Sequence, residues 1–452
     1  MTSAPTPGPG NDEQEVARLS APRVLIVTVN PLSETSNNGK TFASFFKGYP
    51  QDSLAQLYFH REAPSSDVCS NYYRIGDEEY IRYHLRQTRL LGQPATCEDA
   101  PQMILPARAV NAAKGFELAR LLRALAWTRL DLAAPGVREW LEEFDPEVIF
   151  FCGGDANYLY RPVLRISDAF SAPLVYYITD DYVLHNPGAG SIERLKRSWT
   201  RRLFKQTADM SAAVITIGEA MSDTYRSRYS VESGQLMNLV ELPRQIPIYA
   251  DTQDTPAVIS YVGGLHLNRW KVLIEVADSL TRLSAAGQVD AQLDIFAAEI
   301  PGEAKKALDD HPRIRYRGSV PSHKVPEIFR SSRALLHVES FDSEARQATL
   351  LSVSTKIPEY LSSGRCIVAV GPPEVASIRY LADSGSAFVV TDPELDELDH
   401  QLVAALLDVN QRTDVISRGV RLAEKNHDGA RRRRWFHNFL SSLRPDVRDS
   451  RR

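Results

Sequence analysis

"LSVSTKIPEYLSSGRCIVAVG" (351–371) is the stretch from which the fold can be read. Proline is tolerated in the first turn of a helix but not in its interior. Pro358 therefore sets a helix start near 355–357. Gly364 ends that helix, and the apolar run 365–370 follows as a strand buried on both faces. Ser354, Thr355 and Lys356 fall at the helix start, bringing backbone amides, a hydroxyl and a cation together. That combination suits a diphosphate. Glu359 lies about one turn in, where a carboxylate can accept two hydrogen bonds from neighbouring sugar hydroxyls. An ordinary capped helix whose glutamate complements the dipole uses the same residues, so the rest of the chain has to decide.

Outward from this stretch the same alternation repeats. Upstream, strand candidates are 23–30, 53–59, 147–152, 173–179, 212–217 and 235–240, with helical stretches at 77–91, 107–131, 134–143, 158–170, 191–208 and 218–229. A proline-rich, aperiodic segment, 243–256, then reads as a linker. Beyond it come strand candidates 257–264, 291–297, 313–318, 333–339, 365–370 and 387–391. Between them lie helices at 268–286, 302–309, 323–331, 356–363 and near 374–383, and helices 393–408, 411–425 and 428–443 close the chain. Apolar strands separated by helices make a parallel sheet covered on both faces. The fold class expected is α/β, with two Rossmann-like, doubly wound parallel-sheet domains, 22–242 and 257–426, facing a cleft. Ligands of such sheets bind beyond the C-terminal strand ends.

Composition narrows the function. The 452 residues are 43% hydrophobic and 24% charged, with a net charge of −4, which fits a soluble globular protein and argues against a nucleic-acid partner. Four cysteines (Cys69, Cys97, Cys152, Cys366) show no metal-binding spacing. Cys152 and Cys366 sit in apolar runs and read as core residues. Reduced thiols fit a cytoplasmic location. No apolar run approaches the roughly 18–20 residues of a membrane span. Residues 1–21 are rich in Pro, Gly and acidic groups, lack a secretory pattern and read as a disordered tail.

Two further features bear on an anionic ligand. In "ISYVGGLHLNRWKVLIEVA" (259–277) a strand ends in Gly263 and Gly264, which permit close backbone approach. Arg269 and Lys271 follow at a helix start, where a cation opposes the dipole unless an anion is near. In "SETSNNGKTF" (33–42) a strand is followed by a polar loop, Gly39 and Lys40. A P-loop requires glycine at position 34. Glu34 stands there, and its carboxylate would repel phosphate, so an ATPase loop is excluded. Gly39 is left as a turn at the first domain's cleft edge.

"SYVGGLHLNRWKVLIEVA" and "STKIPEYLSSGRCIVAVG" resemble the donor-binding motifs of the two-domain GT-B glycosyltransferases, especially the family 4-like enzymes (glycosyl transferases group 1). The resemblance covers most of 22–443, with specific motifs only in the second domain. It implies that Glu359 holds the donor's ribose and that Ser354, Thr355 and Lys356 form the diphosphate-side turn. Arg269 would neutralise the diphosphate, and Gly263 and Gly264 would let the backbone approach it. Gly39 would close the site from the opposite domain. It also implies a nucleoside-diphosphate sugar as donor substrate, no cofactor or dedicated metal, a retaining outcome, and a C-terminal helix within 427–452 that crosses back to the first domain. Two departures stand out. Leu351 occupies the place of the family's upstream glutamate, and Gly264-Leu265 the place of its usual arginine.

Candidates for the reacting side are carboxylates and a histidine at strand ends. Glu339 ends "LLHVES", Asp155 lies in "FFCGGDANY" (150–158), and Asp180, Asp181 and His185 lie in "YYITDDYVLH" (176–185). Such groups can position an acceptor hydroxyl, and strand-end carboxylates are also common helix caps. Two basic–aromatic stretches, "SIERLKRSWTRRLFKQ" (191–206) and "RRRRWF" (431–436), could rest on an anionic membrane surface and present a lipid-linked acceptor. The expected function is a cytoplasmic glycosyltransferase acting on a glycan or lipid-linked acceptor in polysaccharide or glycoconjugate biosynthesis. A nucleotide-sugar epimerase and an inactive scaffold on the same fold are the alternatives.

Overall fold

The structure, a computed structural model, describes residues 21–34, 37–98, 127, 130–183, 191–248, 256–392 and 395–444. Two sheets organise it. The first contains β1 (Val24–Thr28), β2 (Leu54–Tyr58), β3 (Asn71–Arg74), β4 (Gln93–Ala95), β5 (Val148–Cys152), β6 (Leu174–Ile178), β7 (Ala213–Thr216) and β8 (Gly234–Gln235). Their order is β4-β3-β2-β1-β5-β6-β7-β8, parallel throughout except for β4, which runs antiparallel to β3. The second contains β9 (Ala257–Val262), β10 (Ala291–Phe296), β11 (Ile314–Tyr316), β12 (Ala334–Val338), β13 (Cys366–Val370) and β14 (Phe388–Val390), in the order β11-β10-β9-β12-β13-β14. Counted from β9 this is the 3-2-1-4-5-6 order of a dinucleotide-binding sheet. The expected pair of doubly wound domains is what forms.

The apolar runs dictate this outcome. Every residue of β1, β5, β6, β12 and β13 is buried, as strands covered on both faces must be. Strand order reverses between β1 and β5 in the first sheet and between β9 and β12 in the second. A crevice opens at such a switch point, beyond the C-terminal ends of the strands. In the second sheet those ends carry Gly263 and Glu339.

The domains are packed against each other. One hydrophobic cluster includes Ile217 and Met237 of the first and Val353, Ile357 and Tyr360 of the second. The helix Gly429–Ser442 returns to the first domain. Its Phe436 is fully buried, with ring centroids 6.0, 5.4 and 5.9 Å from those of Phe45, Phe46 and Phe150. Where this helix begins, Val240 and His427 exchange a backbone bond of 2.9 Å. His427 is fully buried, bonding Asn238's carbonyl at 2.8 Å and the Tyr380 hydroxyl at 2.9 Å. Burial foremost, with the charge of Arg432, holds its pKa down to about 4, although the Asn238 carbonyl acts the other way.

Several elements differ from expectation. The segment 235–240 is a strand only at Gly234–Gln235, because its later residues leave the sheet to pair with the returning chain. β3 and β4 were not anticipated; both are short, and β4 contains a proline, which belongs at a sheet edge. The helix from 77 stops at His84, where Arg86 takes a left-handed turn (φ 57°). A helix, Ser343–Thr349, occupies what reads as loop. The 107–131 helix lies outside the described residues except for Trp127 and Leu130, both buried, and Asp131, which is exposed. Cys152 and Cys366 are buried as expected.

Candidate functional site

At the second sheet's switch point five side chains make one polar cluster. Arg269 opens the helix Arg269–Ala285, and Glu339 follows β12. The guanidinium donates to Glu339 Oε2 from Nη2 at 3.0 Å and from Nε at 3.3 Å. Both side chains are largely shielded, 12% and 2% exposed. Burial disfavours the Arg269 charge, but the Glu339 carboxylate outweighs it and the pKa rises. Glu339 is thereby committed to an ion pair. This corrects its reading as a free catalytic carboxylate. Gly371 backs it closely, since a Cβ there would lie 2.9 Å from Glu339 Cβ.

Lys356 has a different situation. Its ammonium donates to the Tyr261 hydroxyl at 3.3 Å and lies 4.6 Å from that ring's centroid. Burial, together with the neighbouring Arg269 charge, pushes its pKa down to about 7, while Glu339 and Glu359 oppose the shift. Lys356 lies directly over Gly263, where any Cβ would collide with the ammonium. Gly263 also has φ 152°, a conformation that favours glycine. A Cβ on Gly264 would meet the His266 ring at 2.5 Å. The two glycines therefore make room for side chains of the site as well as for a ligand.

Two histidines complete the cluster, and neither was singled out from sequence. His266 Nε2 is 3.1 Å from Arg269 Nη1, and burial, with Arg269 and Lys356, lowers its pKa. His337 is fully buried two residues before Glu339. Burial and the same two cations hold it well below the ordinary imidazole range, so it is neutral. Its Nε2 is 3.5 Å from Glu339 Oε1 and makes no hydrogen bond among the described residues. His337 was hidden in sequence because it sits inside the apolar run "ALLHV".

Around Lys356 the turn is partly committed. The Ser354 amide donates to Ser377 Oγ at 2.9 Å, so it is not a free phosphate donor as expected. Thr355 is exposed. Glu359 faces the first domain and accepts from Lys40 Nζ at 3.0 Å. Both ends are well exposed, 49% for Lys40 and 38% for Glu359. An exposed pair of this kind contributes about 0–1 kcal/mol, so a ligand hydroxyl can compete with it.

The first domain's candidates are more dispersed. Gly39 is inside the helix Asn37–Phe46, not at its opening, and a Cβ there would strike the Pro31 carbonyl oxygen. Local packing by itself requires glycine at this position. Lys40, next along that helix, reaches across to Glu359 of the second domain. Asp180 accepts from Ser352 of the second domain at 3.0 Å and from Tyr182 at 3.3 Å. Asp181 accepts from the Val183 amide and the Tyr225 hydroxyl, each at 3.0 Å. These two are structural acceptors, not free bases. Asp155 is exposed just past β5, beside the first sheet's switch point. His185 lies outside the described residues. Among those described, no helix is long and apolar enough to cross a membrane.

Comparison with known proteins agrees with this architecture. Residues 277–438 match the family described as glycosyl transferase-like. No curated protein sequence matches the chain. Among solved structures, HepE of Anabaena in complex with UDP is similar over 93% of this chain and 100% of its own, with TM-score 0.60 and 14% identity. The UDP-forming trehalose-phosphate synthase of Burkholderia vietnamiensis covers 93% and 100%, with TM-score 0.57 and 13% identity. Sucrose-phosphate synthase of Thermosynechococcus elongatus covers 93% and 99%, with TM-score 0.59 and 10% identity. The chain thus has the GT-B fold, and most of its second domain is similar to the glycosyl transferase-like family.

Proposed function

We propose that the protein transfers a sugar from a nucleoside-diphosphate sugar to a glycan or lipid-linked acceptor, with retention and without a dedicated metal. The observation that carries this reading is the pair of cations at the second sheet's switch point, Lys356 over Gly263 and Arg269 at the start of the helix that follows the two glycines. Glu339 partly balances Arg269, and the cluster keeps an affinity for anions. A diphosphate laid against the glycines would meet both cations. As the bond to the sugar breaks, charge builds on the departing diphosphate, and preorganised cations stabilise it most at that moment. Glu359 would take the ribose hydroxyls, displacing or sharing Lys40. Asp155 is the carboxylate best placed to meet an acceptor, since Asp180 and Asp181 already have partners. HepE was crystallised with UDP, which makes a uridine donor the first to try. Cytoplasmic polysaccharide or glycoconjugate synthesis is the setting proposed.

A thermal-shift screen of UDP-, GDP-, ADP- and TDP-sugars tests this reading, because a ligand that binds only the folded state raises the melting temperature. One of the four should do so. No shift with any would remove the donor assignment.

A further inference from the structure

The two basic–aromatic stretches expected to meet a membrane do not present apolar surface as a unit. In the helix Ser191–Met210, Leu203 and Phe204 are buried in the core. In "RRRRWF", Phe436 is buried, Arg433 pairs with Glu241 at 2.9 Å, and Arg432 donates to Gln235's carbonyl at 2.6 Å. Trp435, 40% exposed, is the one exposed apolar side chain of that stretch, and a denser group of them lies elsewhere. Ile81, Leu85 and Leu90 are 53%, 63% and 48% exposed, within ten residues. Arg82, Arg86 and Arg89 are interleaved with them and also exposed. Arg82 pairs with Glu78 at 3.0 Å, whereas Arg86 and Arg89 form no ion pair among the described residues. From Tyr80 to Cys97 the sequence holds no acidic residue, in a chain of net charge −4.

The backbone fixes this segment outward. At one end Tyr80 is buried and stacked on Trp127, with ring centroids 4.5 Å apart. At the other, Leu91 is buried; its carbonyl accepts from the Tyr73 hydroxyl at 2.9 Å, and its amide donates to Pro135's carbonyl at 3.0 Å. Between them the left-handed Arg86 closes the helix, with its amide and that of Gln87 bonded to Tyr83 and Arg82 carbonyls. The side chains in question are therefore exposed on an anchored excursion. Its position follows from topology. β3 runs parallel to the sheet and β4 antiparallel, with Arg74 paired to Gln93. Everything between them projects from the C-terminal edge of the first sheet, the edge that faces the cleft.

We propose that Ile81–Leu90 docks the first domain on an anionic lipid surface. Apolar side chains interleaved with unpaired arginines match that partner in both respects: the former insert at the headgroup boundary and the latter attract the negative charge. A neutral protein partner would not call for Arg86 and Arg89, and an acid-free run excludes a basic one. Only the link to a lipid-linked acceptor rests on the function proposed above; the docking itself does not.

The test is co-sedimentation of the full chain with vesicles of phosphatidylcholine alone or mixed with phosphatidylglycerol. Wild type should bind the anionic vesicles about tenfold or more tightly than the neutral ones, and salt should weaken the binding. Ile81→Glu, Leu85→Glu and Leu90→Glu combined should abolish it, and Arg86→Ser with Arg89→Ser should remove the preference for anionic lipid. Neither set should change the melting temperature or the response to nucleotide sugar, which certifies folding. Absence of wild-type binding, or binding indifferent to the triple variant, overturns the proposal. So does a dimer by light scattering that the triple variant abolishes while vesicles are ignored, since the patch then serves a second copy. Loss of the nucleotide-sugar response in wild type with vesicle binding intact overturns the transferase reading and leaves this one standing.

Discussion

The cleft edges of the two domains use similar residues for different ends. On the second domain Arg269, Glu339, His337 and His266 are linked by contacts of 3.0–3.5 Å, and Lys356 lies near enough for the Arg269 and Glu339 charges to act on it. Gly263 is required there to leave space for Lys356. On the first domain Gly39 is required by Pro31 and Asp180 and Asp181 cap neighbouring chain or tie the domains, while among the described candidates Lys40 and Asp155 are exposed. A fixed cluster of charge suits a diphosphate, which is common to all donors. An edge with fewer committed groups suits acceptors, which vary.

The strongest way to break this comparison is at Arg269. Arg269→Ala leaves Glu339 buried without its partner, and removing one member of a buried pair costs about 3–5 kcal/mol. Both stability in urea and nucleotide-sugar affinity should fall. Adding Glu339→Gln should restore much of the stability and none of the affinity. If the double variant binds donor as wild type does, the cluster is structural only.

The glycines sharpen the contrast. Gly39→Val should destabilise by about 1–3 kcal/mol through overpacking, read as a shift in denaturation midpoint, with donor affinity of the remaining folded protein unchanged. Gly263→Val displaces Lys356 and should lose donor binding. Equal effects of the two on binding would erase the distinction between the domains.

Lys356 would make the proposed donor site sensitive to pH. Its pKa is near 7 in the folded chain against about 10.4 when unfolded. The unfolded chain holds the extra proton between those values, so this group makes stability rise with pH from about 7 to 10. Donor affinity runs the opposite way, because a diphosphate favours the charged lysine. Titration calorimetry should show affinity steady below pH 7 and falling above it, by at most about tenfold per unit. Lys356→Arg should flatten that profile. His427 acts on the domain seam with the same sign in a lower pH window. Its folded pKa near 4 lies below the unfolded value of about 6.5, so it costs stability as pH falls from about 6.5 towards 4. His427→Gln should reduce that acid sensitivity in melting curves.

The smallest effect is expected at Lys40. Lys40→Ala removes an exposed ion pair and should change stability by less than about 1 kcal/mol. A larger loss would mean that the domains depend on this contact.

Much of the fold was legible because β1, β5, β6, β12 and β13 are continuous apolar runs, and Pro358 and Gly364 mark one helix's ends without ambiguity. β3 and β4 were not, since four- and three-residue strands carry too little pattern, and the 235–240 run is drawn from the sheet by a partner nearly 190 residues away. Gly263, Gly264 and Arg269 could be noticed together because they lie within seven residues of one another, whereas Lys356 comes from a separate stretch. The Arg269–Glu339 pairing spans 70 residues, and nothing in either local pattern announces it. His337 has no local signal either, since a buried histidine in a strand looks like any interruption of an apolar run. The acidic pair at 180–181 misled for the opposite reason. Its residue types suggest chemistry, while its partners, Ser352 and Tyr225, lie far along the chain.

The central claim is that the second domain's cluster holds a nucleoside-diphosphate sugar. It is tested most directly by calorimetric binding of the best donor from the thermal screen to wild type and to Glu359→Ala. Wild type should bind with one site, and the variant, still folded, should bind distinctly more weakly through loss of the ribose contact. Identical affinity in the two would contradict the placement of the donor at this site.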